Sequence, residues 1–97
     1  MKRYDILSEI AKKRPVVVVS LDELNAALAT VTVCPLTNQI HPAWRSRVQV
    51  VCAGKPAEIA VDQIRIISKH RLGRKIGTLP ENHAATLRRV ITEMYGE

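Results

Sequence analysis

Polar side chains that could do chemistry interrupt the apolar segments of this 97-residue chain at three places. Lys13-Arg14 stands before Pro15 and a run of four valines, Val16 to Val19. Thr37-Asn38-Gln39 follows the apolar stretch that ends at Leu36, and Asp62-Gln63 separates Val61 from Ile64. In an antiparallel sheet such strand ends can meet. An arginine at the mouth of a buried strand is held by a rigid element, where a functional guanidinium belongs; a solvated charge at a strand end has the same pattern. Thr37 also reads as a turn hydroxyl, and Asp62 as a turn or backbone-bonding carboxylate. Trp44 fits a base-stacking platform or a local loop anchor. No P-loop, GxSxG, HExxH or dinucleotide fingerprint accompanies these residues, and no carboxylates are paired at an informative spacing.

Composition narrows the partners. The formal charge is +6, with a pI near 9.8, which favours a polyanion. The cations group as Lys12-Lys13-Arg14, Arg45 and Arg47, and then the densest segment, Arg65 to Lys75. Ile64, Ile66 and Leu72 break up that segment as folded chain does. Cys34 and Cys52 lie in expected strands without a CxxC partner, and His41, His70 and His83 are scattered, so reduced thiols and no metal site are expected. No apolar stretch approaches the roughly 20 residues that span a bilayer, and none follows the N-terminus as a secretory signal requires. A cytoplasmic protein that engages no membrane is expected.

The elements that must position the polar groups follow from pattern. At this length the chain is one domain, residues 1–97, burying about 60–65% of its unfolded surface. With no Phe, one Trp and two Tyr, its core is made of Val, Ile, Leu and Ala. Tyr4–Ser8 reads as a first strand. Pro15–Val19 is a central strand buried on both faces, because β-branched residues without alternation fit that environment. Ser20 to Glu23 has capping-box spacing before a short helix that runs to about Leu28. Thr30–Cys34 is a third strand that Pro35 ends or bends, with a polar elbow at Leu36–Gln39. Arg47–Ala53 and Ala57–Val61 form a hairpin about a turn at Gly54-Lys55-Pro56. The apolar pattern resumes over Ile64–Ile67, one helical turn fits Ser68–Leu72, and Lys75–Thr78 is a last short strand. Thr78 to Glu81 has a second capping-box spacing. It opens a helix to about Tyr95 whose stripe is Ala84, Leu87, Val90, Ile91 and Met94, stopped at Gly96. Few long crossovers separate the strands, so the fold class is mainly β with α: a small, curled, mostly antiparallel barrel with a short helix and a terminal helix laid on it.

Four motifs then occur in one order. They are Arg14-Pro15-Val16-Val17-Val18-Val19-Ser20, Cys34-Pro35-Leu36-Thr37-Asn38-Gln39-Ile40, Val61-Asp62-Gln63-Ile64-Arg65 and Ile76-Gly77-Thr78-Leu79-Pro80. In order and spacing they resemble the MazF/PemK toxin family over about residues 4–95. The short helix with Asn25 and the terminal helix fit as well, and Tyr4-Asp5-Ile6 looks like the family's opening Gly-Asp-Val/Ile strand with tyrosine in the glycine's place. The resemblance implies an SH3-like or CcdB-like curled barrel and a homodimer. It implies a metal-independent, cofactor-free endoribonuclease that cuts single-stranded mRNA in a sequence-specific way and is neutralised by a cognate antitoxin. The substrate's 2′-hydroxyl is the implied nucleophile, leaving a 2′,3′-cyclic phosphate and a 5′-hydroxyl. Arg14 matches the family's catalytic arginine and Thr37 its catalytic threonine. Asn38 and Gln39 follow to read base edges, and Asp62, with Gln63 beside it, matches an acidic position that some members use in acid–base work. Two departures stand out. Only about Glu9 to Lys13 joins the first two strands, where the family has a longer glycine-containing loop. Ala60 stands where some PemK-like members carry an arginine. RNA affinity then leans on Lys12, Lys13, Arg65 and the basic segment that Arg65 begins. Two other readings are a CcdB-like topoisomerase poison and a non-catalytic RNA-binding barrel.

Overall fold

A run of valines is buried throughout only where protein covers both faces of the strand, and the computed structural model, which describes residues 1–10 and 14–96, meets that condition. In chain order the elements are β1 (Asp5–Glu9), β2 (Pro15–Val18), α1 (Asp22–Ala27), β3 (Thr30–Thr37), β4 (Arg47–Cys52), β5 (Lys55–Ala60), β6 (Arg65–Ser68), β7 (Leu72–Thr78) and α2 (Glu81–Tyr95), with 3-10 turns at Val61–Gln63 and Lys69–Arg71. The strands form one antiparallel sheet in the order β4-β5-β3-β2-β1-β7, with β6 added to β3. The sheet curls into a half-barrel, and α2 closes its inner face.

Val16, Val17 and Val18 are fully buried. Val17 joins Ile6, Cys34, Leu36, Val48 and Ile59 in the inner core, against Ala84, Leu87 and Val90 of α2. Val16 and Val18 point the other way, into a smaller cluster with Leu7, Val31, Val33 and Ile67. The helix stripe expected from sequence is therefore the packed face of α2, with Ile91 also against the core and Met94 left exposed at its end.

Several local expectations are corrected. Neither capping box forms: Leu21 and Pro80 occupy the N-cap positions and make no side-chain cap bond. The Ser20 hydroxyl instead donates to the side chain of Asn25, and accepts from the Thr32 N–H at 3.2 Å. Thr78 Oγ1 donates to buried Asp5 at 3.2 Å. Pro35 does not end β3, which runs on to Thr37. It sits where the strand passes from pairing with β2 (Val16 opposite Pro35) to pairing with β5 (Leu36 opposite Ile59), a handover at which its missing N–H is tolerated. The hairpin turn is Ala53-Gly54, both at positive φ, as a two-residue hairpin loop requires. Lys55 and Pro56 therefore belong to β5. Tyr4 also has a positive φ, of 70°, so tyrosine here holds a left-handed conformation that suits glycine.

Candidate active site

The β2–β3 register brings the first two polar interruptions together. Val18 faces Val33, Val17 faces Cys34 and Val16 faces Pro35, which brings the start of β2, just after Arg14, beside the stretch of β3 that leads to Thr37. The sequence could not give this register, because β2 and β3 are joined through a helix of undefined offset. Both residues line a cleft of about 390 Å³, with Asn38 and Gln39 beside them. Lys55 and Cys52 come to the same cleft from the paired ends of β4 and β5, next to the turn residue Ala53, and Ile76 comes from β7 on the other edge. The floor is apolar, from Pro15, Leu36, Pro56 and Ala57.

Among the described residues neither Arg14 nor Lys55 has a carboxylate within ion-pair distance, although seven such contacts form elsewhere. The guanidinium keeps its planar set of donors for a ligand, which suits the non-bridging oxygens of a phosphate. Thr37 Oγ1 accepts from the Gln39 N–H at 3.2 Å, which turns the chain sharply after β3 and leaves the hydroxyl proton to donate. The Asn38 and Gln39 side chains are exposed at this bend, and each primary amide offers donors and an acceptor to a base edge.

The other expected site residues lie elsewhere. Asp62 and Gln63 sit on the 3-10 turn beyond the far end of β5 and do not line the cleft. Arg47 Nε donates to Asp62 Oδ1 at 2.9 Å. Burial pushes the Asp62 carboxyl up, but the hydrogen bonds from Arg47 and Ser46 outweigh it and hold it below its ordinary value. Arg65 grips fully buried Glu9 with both terminal nitrogens, one of them at 3.1 Å. That hydrogen bonding raises its pKa against the opposing effect of burial. Lys12 and Lys13 lie outside the described residues. Trp44 is not part of the cleft; its ring stacks on His41, with centroids 4.0 Å apart. Cys34 is fully buried, and burial, with the charge of Asp62, pushes its thiol up to about 12, so it is inert. Lys55 is a cleft residue that the sequence does not announce, because Gly54-Lys55-Pro56 reads as a turn. Among the described residues no three His, Cys, Asp or Glu side chains gather as a metal site would require, and no helix is long and apolar enough to cross a membrane.

Comparisons with known proteins bear on the family and the fold. A family model described as PemK-like, MazF-like toxin of type II toxin-antitoxin system matches residues 3–95. Among solved structures, the Mycobacterium tuberculosis toxin MazF-mt6 is similar at 25% identity and a TM-score of 0.84, with 96% of each chain covered. A mycobacterial endoribonuclease solved in complex with its cognate antitoxin superposes with a TM-score of 0.88 at 17% identity, over 99% of this chain and 95% of that one. MazF in a MazE-MazF complex from Deinococcus radiodurans gives 0.85 at 17%, over 99% and 96%. At that identity the last two speak for the fold alone. No curated protein matches the sequence significantly.

Proposed function

This chain belongs to the PemK-like, MazF-like toxins of type II toxin–antitoxin systems, and on that premise we propose that it is a metal-independent endoribonuclease that cuts single-stranded mRNA at defined sequences. The observation that carries the reading is the cleft that Arg14 and Thr37 both line, with no carboxylate among the described residues to neutralise the arginine.

The chemistry needs no nucleophile from the protein. The ribose 2′-hydroxyl gives up its proton to solvent as it attacks the adjacent phosphorus, the bond from phosphorus to the 5′-oxygen breaks, and that oxygen leaves as a hydroxyl after taking up a proton from solvent. The products are a 2′,3′-cyclic phosphate and a 5′-hydroxyl end. Charge grows on the non-bridging oxygens as the phosphorane forms, and Arg14 stabilises it there. Thr37 donates to one of the same oxygens. A guanidinium does not readily lose its proton, so Arg14 is not the base, and Asp62, held by Arg47 away from the cleft, is given no step. Asn38 and Gln39 read bases, while Lys55, with Lys12 and Lys13 just before Arg14 in the chain, draws the phosphate backbone. The protein acts as a cytoplasmic homodimer and is neutralised by a cognate antitoxin. Leu21, Leu24 and Leu28 support the dimer, because all three are exposed along α1 and its flanks and monomers seldom leave such faces open.

The deciding experiment is a digest of a long single-stranded RNA with EDTA present, comparing wild type with Arg14→Ala and Thr37→Ala and mapping the ends. Discrete cuts by wild type alone, with 5′-hydroxyl ends, are expected. Equal cutting by both variants refutes the site. Salt-sensitive binding without any cutting makes the protein an RNA-binding barrel.

A further inference from the structure

Glu58 is fully buried in β5, between the core residues Ala57 and Ile59. An ionised acid in that position is costly unless donors surround it, and here they do. Gln49, its cross-strand partner on β4, donates from Nε2 to Oε1 at 2.8 Å. Arg47 donates from Nη1 to Oε2 at 2.8 Å, and the backbone N–H of His41 donates to Oε1. Burial pushes the Glu58 carboxyl up, yet these bonds prevail and hold it below its ordinary value.

Two of these donors bracket the segment that connects β3 to β4. His41 stands near its start and Arg47 at its end. Between them Trp44 stacks on His41 at 4.0 Å, and the Arg47 guanidinium lies 4.7 Å from the centre of the indole. The backbone closes on itself as well: Trp44 N–H donates to the His41 carbonyl at 3.0 Å, and Arg47 N–H to that of Trp44 at 3.3 Å. One carboxylate thus ties both ends of this loop to the sheet. The first residues of the loop, Asn38 and Gln39, line the cleft, and the residue across from Glu58 on β3 is Thr37.

We propose that Glu58 is a positioning residue: from behind the site it fixes the loop that presents Asn38 and Gln39, and so sets which RNA sequences are cut without touching the RNA. The inference rests on the ribonuclease reading above. Groups that select substrate are precise when packed and hydrogen-bonded support locks them, and Glu58 is that support here.

Trp44 is the only tryptophan, so its fluorescence reports the loop directly. Glu58→Gln keeps the shape but turns an amide toward Arg47. Acrylamide is expected to quench Trp44 more strongly in this variant, KM to rise about tenfold with kcat within about twofold, and the set of cut sites to widen. Trp44→Ala alters only the half-exposed end of the clamp and is expected to widen the same set. A Glu58→Gln protein that melts earlier but cuts the same sites at the same relative rates overturns the proposal and leaves Glu58 a stabilising residue only. If Glu58→Gln fails to fold, an unchanged cut pattern in Trp44→Ala overturns it instead. If wild type cuts no RNA, the ribonuclease reading fails on its own. Quenching then still judges the clamp: unchanged quenching in Glu58→Gln refutes it, and stronger quenching upholds it.

Discussion

At the mouth of β2, Arg14 faces an open cleft and meets no carboxylate among the described residues. At the start of β6, Arg65 closes onto buried Glu9, and Arg71 adds a contact at 3.1 Å. The second region is the densest basic stretch of the chain, yet much of its charge is spent internally. Lys75 lies 3.3 Å from buried Asp5, and Lys69 donates to the carbonyl of Asn25. Two acids of β1, Asp5 and Glu9, draw this segment onto the sheet, because a buried carboxylate must be paired. The basic character of a segment therefore does not locate the field a ligand meets. What matters is which cations lack an acid among the described residues, and at the cleft these are Arg14 and Lys55.

The comparison breaks most visibly by exchanging losses. Arg14→Ala should lower cleavage by about 10²–10³-fold, the scale for removing a group that stabilises transition-state charge, while leaving the melting temperature nearly unchanged. Arg65→Ala should do the reverse. It strips the main partner from Glu9, though Arg71 remains, so a loss of roughly 2–3 kcal/mol is expected, at or below the range for breaking a buried pair. For a domain of this size that is a fall on the order of 10 °C, with cleavage per folded molecule retained. Thermal melts beside single-turnover digests decide it, and an Arg65→Ala protein that melts like wild type but no longer cuts would reverse the two roles.

Lys55 sharpens the contrast at smaller scale. Lys55→Ala should weaken RNA binding a few-fold and reduce the slope of log K against log salt by about one. Arg71→Ala, whose side chain is tied to Glu9, should change that slope much less. Fluorescence titration of a labelled oligonucleotide at several salt concentrations measures both.

Acid should undo the paired regions before it touches the cleft. Glu58, Asp62 and Asp5 all titrate below their ordinary values of 4.5, 3.8 and 3.8. A carboxylate whose pKa is depressed by folding stabilises the fold fully above its unfolded value, and that contribution is lost as pH falls through the folded one. The melting temperature should hold from neutral pH to about 5 and fall below about 4.5. Asp62→Asn should flatten the acid limb slightly. Its cost at pH 7 should be about 1 kcal/mol or less, because Asp62 is one-third exposed and such pairs are weak. An unchanged acid limb would remove Asp62 from the account.

The sequence carried much of the fold because its strongest signals were local. The valine run declared a doubly buried strand, and the 3–4 spacing from Ala84 to Val90 declared the packed face of α2. What it could not carry were partnerships across long separations. Glu9 with Arg65 and Glu58 with Arg47 join residues 56 and 11 apart, and no local pattern announces them. The Ser20 hydroxyl looked like a helix cap because nothing nearby showed that buried Asn25 would take it. Pro35 looked like a strand end because its tolerance depends on where the strand changes neighbours. At the cleft, Arg14 and Thr37 are each legible as candidates because they interrupt apolar runs, whereas Lys55 is hidden because Gly54-Lys55-Pro56 reads as a turn.

Tyr4 offers the finest test of the rule that unpaired charge matters only at the cleft. It lies at the opposite end of β2 from Arg14, with its N–H on the Val18 carbonyl. Arg3 stands 4.8 Å and Arg88 5.6 Å from the ring centre, and Arg88 Nη1 also donates to the phenol oxygen at 3.2 Å. These contacts hold a tyrosine at a φ of 70°, a conformation that costs a side chain about 1–2 kcal/mol. Tyr4→Gly removes that strain but also the two cation–ring contacts, worth about 0.5–1 kcal/mol each at exposed sites, and it restores to the unfolded chain the freedom of a glycine. The ring's packing against the core is lost as well, so the fold should be weaker by about 1–3 kcal/mol. Arg3 would then be released from the ring without an acid being removed, while Arg88 stays paired with Glu81 at 2.7 Å. Cleavage and its salt dependence should stay at the wild-type level, measured on the same RNA digest. A clear gain in RNA affinity would mean that free cations anywhere on this surface serve the substrate, and that the cleft is no more than one part of a general basic field.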